Sequence, residues 1–567
     1  MDVRVRFLAP ALAALAVCAS PAGAAPGDLD ASFSGDGRVS TLTSPDTFVA
    51  RGVAVQPDGR IVVAGYSCDD ATCGLTGDSS FRLVRYTPDG GLDTDFGAGG
   101  MVTTAVGPGR SQAFDVVVRP DGHIVAGGVA SDDMADPGSF ALVGYRPNGT
   151  LDPDFGDGSD GIGRVITRVG DGFDAISDLV SVRDDRLVAV GQAVAGGGRV
   201  ALARYDRRGM LDPGFGDGGT RIVPSSAPYA YGAAGAELPD GRVVAVGASG
   251  ANSTVESLRF SGLPVDAGGG ANPPWIRPVG NSYSFANAAA ALADGRVLSA
   301  GVATDRTGNA ALALVRTSPE GELDGSWDGD GLALVRARDA TVAADVLLDP
   351  EGRAVAAGYA SAGAAHFFAL ARFDGAGALD ASFGSGLVLT GFPGATVARA
   401  TALARQGDGK LVVAGIACAS GSGPQCSGGT SRLALARYAI APGPSSGPAG
   451  GGAPPRGTAG LRPAPFVSLP SSLRARRGRV RVRVRCRQAI RCRGRLTLRR
   501  LRTGRRSLLL GSRTASIPAR RTRTVVVKIR RQRLGTRRRV RVRMEFAGRD
   551  ATGARRRVAR RVTLRRG

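Results

Sequence analysis

Short runs of alternating apolar and polar residues recur along most of the chain, and turn-forming residues separate them. Val53 and Val55 alternate with small or polar residues, Asp58-Gly59 follows, and a second apolar run covers residues 61–64. Alternation with a period of two predicts half-buried β-strands, and Asp-Gly between two such runs predicts a two-residue hairpin turn. Sustained helical periodicity is missing from the unit, so the pattern predicts an all-β fold.

The same hairpin occurs seven times, with a period of about 58 residues. After Asp58 the turn returns at Asp121, Asp184, Asp240, Asp294, Glu351 and Asp408. A Leu-Asp-x-x-Phe-Gly motif accompanies it, beginning at Leu29, Leu92, Leu151, Leu211, Leu323 and Leu379. A third motif, Phe-x-Leu-x-Arg-Tyr, is clearest at residues 81–86. Four short strands per repeat are typical of a β-propeller, whereas solenoid units are usually shorter. We therefore predict a seven-bladed propeller with four-stranded blades across residues 26–440.

At these three motifs the chain resembles the bacterial delta-60 repeat family of secreted β-propellers. The resemblance implies a propeller fold and export, and it carries no known catalytic residues. The fifth unit departs from the pattern, because Leu263-Pro264-Val265-Asp266 lacks the Phe-Gly step expected after Leu-Asp.

The loop of this fifth unit is the candidate ligand loop. It covers residues 264–284 and contains Trp275 and Tyr283, and Phe285 follows directly. Loops often carry function, and exposed aromatic side chains suit the binding of a sugar or a peptide. The alternative is that Trp275 replaces the missing Phe of its blade.

The N-terminus predicts a signal peptide over residues 1–25. Arg4 and Arg6 precede an apolar run at residues 7–17, and Ala22-Gly23-Ala24 offers a cleavage site. Export is consistent with six cysteines in three closely spaced pairs, which predict local disulfides in an oxidising compartment. These pairs are Cys68/Cys73, Cys418/Cys426 and Cys486/Cys492. Lipid attachment at Cys18 is disfavoured, because Val17 is a poor residue before a processed cysteine.

The C-terminal part differs sharply in charge from the rest of the chain. Residues 466–567 contain 37 Lys and Arg but two acids, whereas the remaining chain has a net charge of −11. Residues 441–465 are rich in Pro, Gly and Ser, which predicts a flexible linker. Beyond it, Val480, Val482 and Val484 alternate with arginines, which predicts a small immunoglobulin-like β-sandwich over residues 466–567. A disordered basic tail is the alternative.

The arginine face of this domain favours anionic partners outside the cell, such as wall polymers and acidic polysaccharides. Sequence-specific recognition of nucleic acid is disfavoured, because Phe466 and Phe546 are the only aromatic residues there. A protein partner is a further possibility, and we expect a monomer without a transmembrane segment.

The repeated charged residues have two alternative roles. The aspartates of the Leu-Asp motif could bind calcium or cap their own turns, and we favour capping. The arginines of the third motif could line a channel or pair with those aspartates, and we favour pairing. These arginines are Arg85, Arg204, Arg259, Arg316, Arg372 and Arg437.

The sequence predicts no catalytic, cofactor or metal residues. His123 occupies a turn position that holds Arg or Lys in most other repeats, and His366 precedes Phe367-Phe368 without an acid or cysteine placed for metal binding. We therefore expect an exported, non-catalytic binding or scaffold protein, although whether it is an enzyme stays open. The alternative is a hydrolase or lyase acting on extracellular glycans through carboxylates in the propeller funnel.

Overall fold

The computed structural model divides the chain into two compact units, Met1–Ser446 and Gly447–Gly567. In the first unit it describes residues 24–42, 47–68, 79–131, 137–194, 197–225, 227–419 and 431–440. In the second it describes residues 467–468, 472–476, 479–486, 492–500, 508–517, 522–529, 539–549 and 555–566. The predicted linker and nearly all of the predicted signal peptide lie outside these ranges.

The first unit is a seven-bladed β-propeller with four antiparallel strands in each blade, as the sequence predicts. Blades 1 to 3 consist of β2 (Thr47–Val55), β3 (Ile61–Cys68), β4 (Ser79–Tyr86) and β5 (Met101–Thr104); β6 (Ser111–Val118), β7 (Ile124–Ala130), β8 (Ser139–Tyr145) and β9 (Arg164–Thr167); and β10 (Phe173–Val182), β11 (Arg186–Val194), β12 (Gly198–Tyr205) and β13 (Thr220–Val223). Blades 4 to 6 consist of β14 (Tyr229–Glu237), β15 (Val243–Gly250), β16 (Arg259–Val265) and β17 (Trp275–Arg277); β18 (Ser284–Ala291), β19 (Val297–Thr304), β20 (Ala310–Thr317) and β21 (Leu332–Val335); and β22 (Ala340–Leu348), β23 (Ala354–Ala362), β24 (Ala365–Phe373) and β25 (Leu387–Thr390).

The two ends of the propeller combine in blade 7. Its first three strands are β26 (Val397–Arg405), β27 (Leu411–Cys418) and β28 (Arg432–Tyr438), and its outermost strand is β1 (Arg38–Leu42) from the N-terminal side. The register of β1 against β28 runs from Arg38 opposite Ala436 to Leu42 opposite Arg432. This pairing closes the ring, and β2 of blade 1 packs beside β26 of blade 7.

A β-bulge interrupts the first strand of every blade at an equivalent position. In blade 1 the register shifts between Ala50 and Gly52, so that Arg51 is the extra residue. Gly65 of the Val-Val-Ala-Gly run faces this bulge, and a Cβ atom there would lie 2.0 Å from the carbonyl oxygen of Val49. The repeated glycine therefore makes room for the bulge. The extra residues of the seven blades are Arg51, Phe114, Ser177, Ala233, Asn287, Ala344 and Thr401.

Ion pairs between the second and third sequence motifs hold most blades together, as predicted. In blade 1 the Asp93 carboxylate lies 2.8 Å from Arg85 Nε and 2.7 Å from Arg60 Nε. The Arg85 guanidinium also stacks on the Phe96 ring at 4.4 Å. Equivalent pairs join Arg204 to Asp212, Arg316 to Asp324, Arg372 to Asp380 and Arg437 to Asp30. These arginines are therefore part of the scaffold.

Blade 4 contains the irregular fifth unit of the sequence, and its structure differs from two of the sequence predictions. Leu263, Pro264 and Val265 belong to β16, and the segment equivalent to Leu-Asp-x-x-Phe is residues 271–275. Asn272 N donates to Pro264 O at 3.0 Å, just as Asp93 N donates to Arg85 O in blade 1. The prediction that Arg259 joins the repeated arginines is wrong, because its side chain donates to the carbonyl groups of Glu256 and Leu258. This blade replaces both members of the ion pair together.

The Asp-Gly turns differ in one detail from the two-residue hairpin. Gln56 N donates to Arg60 O at 2.8 Å and Gly59 N donates to Gln56 O at 2.8 Å, which closes a three-residue loop. Gly59 adopts a φ of 86°, the left-handed conformation that a three-residue hairpin needs at its last position. In the third copy Asp184 and Asp185 both have positive φ, as the Asp-for-Gly substitution suggests.

The second unit is also made of β-strands and has its own core. Its strands are β29 (Val467–Ser468), β30 (Ser472–Arg476), β31 (Arg479–Cys486), β32 (Cys492–Arg500), β33 (Leu508–Ile517), β34 (Thr522–Lys528), β35 (Arg539–Arg549) and β36 (Arg555–Arg566). They form one hydrogen-bonded sheet in the order β29-β31-β30-β36-β35-β32-β33, and β34 pairs with β31. Val480, Val482 and Val484 are fully buried in its core, as the alternation predicts. The immunoglobulin-like assignment stays a prediction.

Helical structure is almost absent from the described ranges. Two short 3-10 turns, Val255–Ser257 and Gly384–Gly386, are the only helical elements there. Accordingly, these parts of the chain contain no helix of the length and hydrophobicity that crossing a bilayer requires.

Candidate ligand cavity and basic surface

A cavity of about 680 Å³ lies at one end of the propeller axis. Its lining includes bulge residues from the first strands of six blades, which places it on the axis. These residues are Arg51, Phe114, Ser177, Asn287, Ala344 and Thr401. Val255 and Tyr283 complete the mouth from loops, so the cavity opens on the face where successive blades are joined. Its volume is in the range typical of small-molecule sites.

One wall of the cavity carries the Arg399 side chain from blade 7. Arg399 Nε donates to His366 Nδ1 at 2.9 Å, and its guanidinium lies 4.8 Å from the Tyr359 ring centroid. His366 stacks on Tyr359 with 5.7 Å between ring centroids. Burial lowers the pKa of Arg399, and burial and then the Arg399 charge lower the pKa of His366. His366 therefore serves as a neutral acceptor that orients the guanidinium.

A second arginine reaches the cavity from the bulge of blade 1. Arg51 lies 5.7 Å from the Tyr66 ring and 5.6 Å from the Phe114 ring, and its Nη2 donates to the Tyr66 hydroxyl at 3.3 Å. Its Nε atom is buried and has no hydrogen-bond partner in the described structure. Among the described residues, neither Arg51 nor Arg399 has a carboxylate within 4.0 Å. In this respect they differ from the arginines of the scaffold.

The three predicted ligand-loop residues have different places in the structure. Tyr283 and Phe285 line the cavity and stack on each other, with 6.3 Å between ring centroids. Trp275 lies elsewhere, is 6% exposed, and donates its indole N–H to Pro319 O at 3.0 Å. A Cβ atom on Gly321 would meet the Trp275 ring, just as one on Gly90 would meet Phe33. Trp275 thus occupies the place of the repeated Phe, in line with the alternative interpretation.

Three buried aspartates lie near the axis, directly after bulges in blades 2, 3 and 6. Each accepts a hydrogen bond from a backbone N–H of the next blade, namely Asp115 from Leu179, Asp178 from Gly235 and Asp345 from Leu403, at 2.7–2.9 Å. Burial raises the pKa of all three carboxyl groups, and that of Asp345 reaches about 7. Because the three occupy equivalent positions and hold neighbouring blades together, we assign them to the scaffold.

The enzyme alternative requires a pair of carboxyl groups in the funnel. Asp115 and Asp178 are the candidates for such a pair. Burial and then the charge of Asp178 raise the pKa of Asp115 well above its usual value. Glycosidase carboxylates are separated by about 5 Å or more, which leaves room for a sugar or a water molecule. Neither Asp115 nor Asp178 is in the lining of the cavity, so the pair does not face the space that a sugar would occupy there.

The aspartates of the Leu-Asp motif cap their own turns. Asp30, Asp212, Asp324 and Asp380 each accept the backbone N–H two residues on, at 3.0–3.1 Å. Asp157, which lies outside the motif, likewise accepts from Ser159 N at 2.9 Å. Within the described ranges, no group of three His, Cys, Asp or Glu side chains is arranged to hold a metal ion.

The predicted disulfide residues lie at strand ends. Cys68 ends β3 and Cys418 ends β27, and both are disulfide-bonded. Cys68 packs against Val49 and Tyr66 behind the cavity wall. Their predicted partners Cys73 and Cys426 lie outside the described residues, so the pairing stays a prediction. Cys486 ends β31 and Cys492 begins β32, and their pairing likewise stays a prediction.

The register of the second unit aligns arginines across neighbouring strands. Arg543 of β35 pairs with Arg499 of β32 on one side and with Arg561 of β36 on the other. A second row consists of Arg493, Arg549 and Arg555. On β31 and β34, Arg479 pairs with Lys528, and both are exposed. We call these positions the arginine rows.

The sequence predicted the arginine face of the second unit as a binding surface, but neither its alignment into rows nor the bulge residues of the cavity. Both features can be recognised only from the strand register. In the sequence, nothing but its position at a bulge distinguishes Arg51 from a scaffold arginine. The available signal was that the bulge residue differs in nearly every repeat, between positions that are mostly small or apolar.

One comparison with known proteins, a family model, agrees with the propeller architecture. A family model described as a domain of unknown function (DUF5122) beta-propeller matches residues 56–96, 119–155 and 183–215. No curated protein matches the chain. Among solved structures, the polysaccharide lyase Uly1 is 12% identical with a TM-score of 0.41, covering 70% of this chain and 90% of its own. A PL25 ulvan lyase is 11% identical with a TM-score of 0.38, covering 74% and 94%. A gluconolactonase from Xanthomonas campestris is 13% identical with a TM-score of 0.30, covering 70% and 99%.

Proposed function

We propose that this protein is an exported, non-catalytic binding protein, and that its second unit associates with anionic polymers at the cell surface through the arginine rows. The propeller provides a platform for a ligand or a protein partner. The observation that carries the proposal is the pairing of Arg543 with both Arg499 and Arg561. Like charges directly opposite each other destabilise a sheet, and a polyanion would relieve that repulsion.

Binding to heparin tests this proposal, because heparin is a soluble polyanion of high charge density. The full chain is compared with a triple variant carrying Arg499→Gln, Arg543→Gln and Arg561→Gln. We expect the wild type to bind at low salt and the triple variant to elute at a clearly lower salt concentration. The matched control carries Arg146→Gln, Arg208→Gln and Arg405→Gln, three exposed arginines of the propeller. An equal shift in both variants, or no binding by the wild type, would contradict the proposal.

Export is a separate part of the proposal and needs its own measurement. It rests on the N-terminal pattern of charge and hydrophobicity and on the cysteine pairs. Fractionation of the native cells should place the protein in the surface fraction or the culture supernatant. Recovery in the cytoplasmic fraction alone would refute this part.

The alternative is an enzyme that acts on glycans, and one observation favours it. Asp115 and Asp178 are neighbouring carboxyl groups near the propeller axis, and burial raises the pKa of both. If the pair were catalytic, Asp178→Asn would abolish the release of oligosaccharides from an acidic polysaccharide without unfolding the chain. If the pair is scaffold, the wild type releases none, and Asp178→Asn lowers stability.

A further inference from the structure

Two half-buried arginines in the axial cavity differ from the arginines of the repeated Phe-x-Leu-x-Arg-Tyr motif. Arg85 and its equivalents each lie against an aspartate, whereas Arg51 and Arg399 contact aromatic rings, a hydroxyl and a neutral imidazole. A guanidinium removed from water without a counterion costs free energy. That cost is offset when an anion enters the cavity.

The uncharged lining restricts the chemistry of such an anion further. Tyr283 and Phe285 form a stacked pair at the cavity wall, and Tyr359 presents a second ring beside Arg399. Asn287 donates its Nδ2 to Ala343 O at 2.7 Å, which leaves its side-chain oxygen as an acceptor. The Ser177 hydroxyl also lies in the lining. Flat aromatic rings and hydroxyl partners suit a ligand with several hydroxyl groups.

We infer that the axial cavity binds an acidic saccharide, meaning a sugar unit that carries a carboxylate or a sulfate ester. Arg51 and Arg399 hold the anionic group, and the Tyr283–Phe285 pair and Tyr359 contact the sugar rings. This site is distinct from the arginine rows, which suit an extended polymer. It carries the ligand specificity that those rows lack.

The lining also argues for binding rather than chemistry. Its described residues include two arginines and two tyrosines as titratable groups, and no carboxylate. General acid–base cleavage of a sugar normally needs a carboxyl group or a histidine at the reacting bond. His366 accepts a hydrogen bond from Arg399 at Nδ1, and its role is to hold that guanidinium in place.

Calorimetric titration of the full chain tests the inference with three small probes. These are trigalacturonate, a sulfated galactose trisaccharide and neutral galactotriose, at about 0.15 M salt to screen exposed charges. We expect at least one anionic probe to bind roughly tenfold or more tightly than galactotriose, because charge-assisted hydrogen bonds give a difference of that size. The stronger anionic probe identifies the group that the cavity prefers. Equal binding of all three probes, or no binding, would overturn the inference.

Variants assign the binding to the cavity. Arg51→Gln and Arg399→Gln should each weaken binding of the anionic probe by roughly tenfold and leave the melting temperature unchanged or higher, because each removes a half-buried charge without a counterion. Arg405→Gln is the matched control, since Arg405 is exposed at the far end of the same strand as Arg399. If an arginine variant fails to fold, Phe285→Ala tests the same cavity. Binding that survives every cavity substitution contradicts the inference.

Two further arms separate this inference from the proposed function. In the triple variant of the arginine rows, affinity for the trisaccharide should be unchanged although heparin binding falls. Loss of trisaccharide binding in that variant would place the site in the second unit and overturn the inference. An acidic tripeptide that binds as tightly as trigalacturonate would assign the cavity to peptides instead.

Discussion

The Nε atom of Arg437 lies 2.9 Å from the Oδ2 atom of Asp30, and this ion pair joins the last strand of the propeller to the segment before its first. Lys410 Nζ lies 3.0 Å from the same oxygen. The ring is therefore closed twice, by the β1–β28 pairing and by a buried ion pair. Blades 1, 3, 5 and 6 make the equivalent ion pair within a continuous stretch of chain.

Replacing Asp30 should weaken this closure specifically. Asp30→Asn keeps a side-chain oxygen for the turn but leaves Arg437 buried without its partner, which should lower the free energy of unfolding by about 3 kcal/mol. Urea unfolding measures this change. Asp28→Asn is the control, because Asp28 is exposed and lies in the same segment. Equal effects of the two substitutions would show that the ion pair does not hold the ring.

The same pair predicts how stability depends on acid. Burial alone would raise the pKa of Asp30, but the hydrogen bonds from Lys410 and Ser32 and the charge of Arg437 lower it to about 2. A depressed pKa in the folded state gives stability that is present above about 4 and lost as the pH falls towards 2. Asp30→Asn should therefore flatten the fall in stability over that range.

Asp345 should act in the opposite direction at higher pH. Burial raises its pKa to about 7, so the folded protein holds a proton that the unfolded chain has released above about pH 4. Stability should consequently decline as the pH rises from 4 to 7, by up to roughly 4 kcal/mol from this group. Melting temperatures of the wild type and Asp345→Asn across this range measure the difference. The variant should have the shallower decline, whereas Asp154→Asn, at an exposed position, should match the wild type. Parallel curves for Asp345→Asn and the wild type would contradict the assignment.

Substitutions of Trp275 and Phe285 should differ in their effect on stability, because Trp275 belongs to the scaffold and Phe285 lines the cavity. The sequence analysis placed both in one candidate ligand site. Trp275 is 6% exposed and fills the place of the repeated Phe, so Trp275→Ala should cost about 3–5 kcal/mol of unfolding free energy. Phe285 is only half-buried, so Phe285→Ala should cost about 1 kcal/mol or less. Chemical denaturation compares the two. A larger loss for Phe285→Ala would reverse these roles.

Blade 2 tests whether an arginine at a different position can replace the repeated arginine of the other blades. Gly144 stands where most other blades have the repeated arginine, and Arg119 from the first hairpin reaches the Phe155 ring at 5.8 Å instead. Arg119→Gln and Gly144→Arg should each be destabilising, the second because Phe155 has moved against the glycine. Together they restore the arrangement of blade 1, with Gln56 and Arg85. A double-mutant cycle should give a favourable coupling of about 1 kcal/mol or more, whereas simple additivity would show that the arginines are not equivalent.

The regular parts of the propeller were predictable, because each follows from local patterns. Asp58-Gly59 and the strand after it specify a hairpin, and seven copies specify the ring. Blade 4 was misread because Leu263-Pro264-Val265 matches the spacing of a different motif once its arginine and aspartate have both been replaced. Only the backbone hydrogen bond from Asn272 to Pro264 restores the register.

The cavity could not be predicted, because its residues are far apart in sequence. Arg51 and Arg399 come to one cavity only when the ring closes, and both lie on strands whose other positions are mostly small or apolar. Whether either arginine has a counterion depends on contacts with neighbouring blades, and the sequence of a single repeat does not show these contacts. In the second unit, the Arg-Val alternation predicted the buried valines, but the rows across β32, β35 and β36 required the register.

The salt dependence of heparin binding tests the central claim most directly, because its slope reports how many positively charged side chains of the protein contact the polyanion. The logarithm of the affinity of the full chain should fall linearly with the logarithm of the salt concentration. In the triple variant of Arg499, Arg543 and Arg561 the slope should be shallower by roughly two to three units, since each of the three lost contacts releases about 0.7–0.9 of a counterion fewer. Identical slopes for the wild type and the triple variant would contradict the account, because the arginine rows would then take no part in binding.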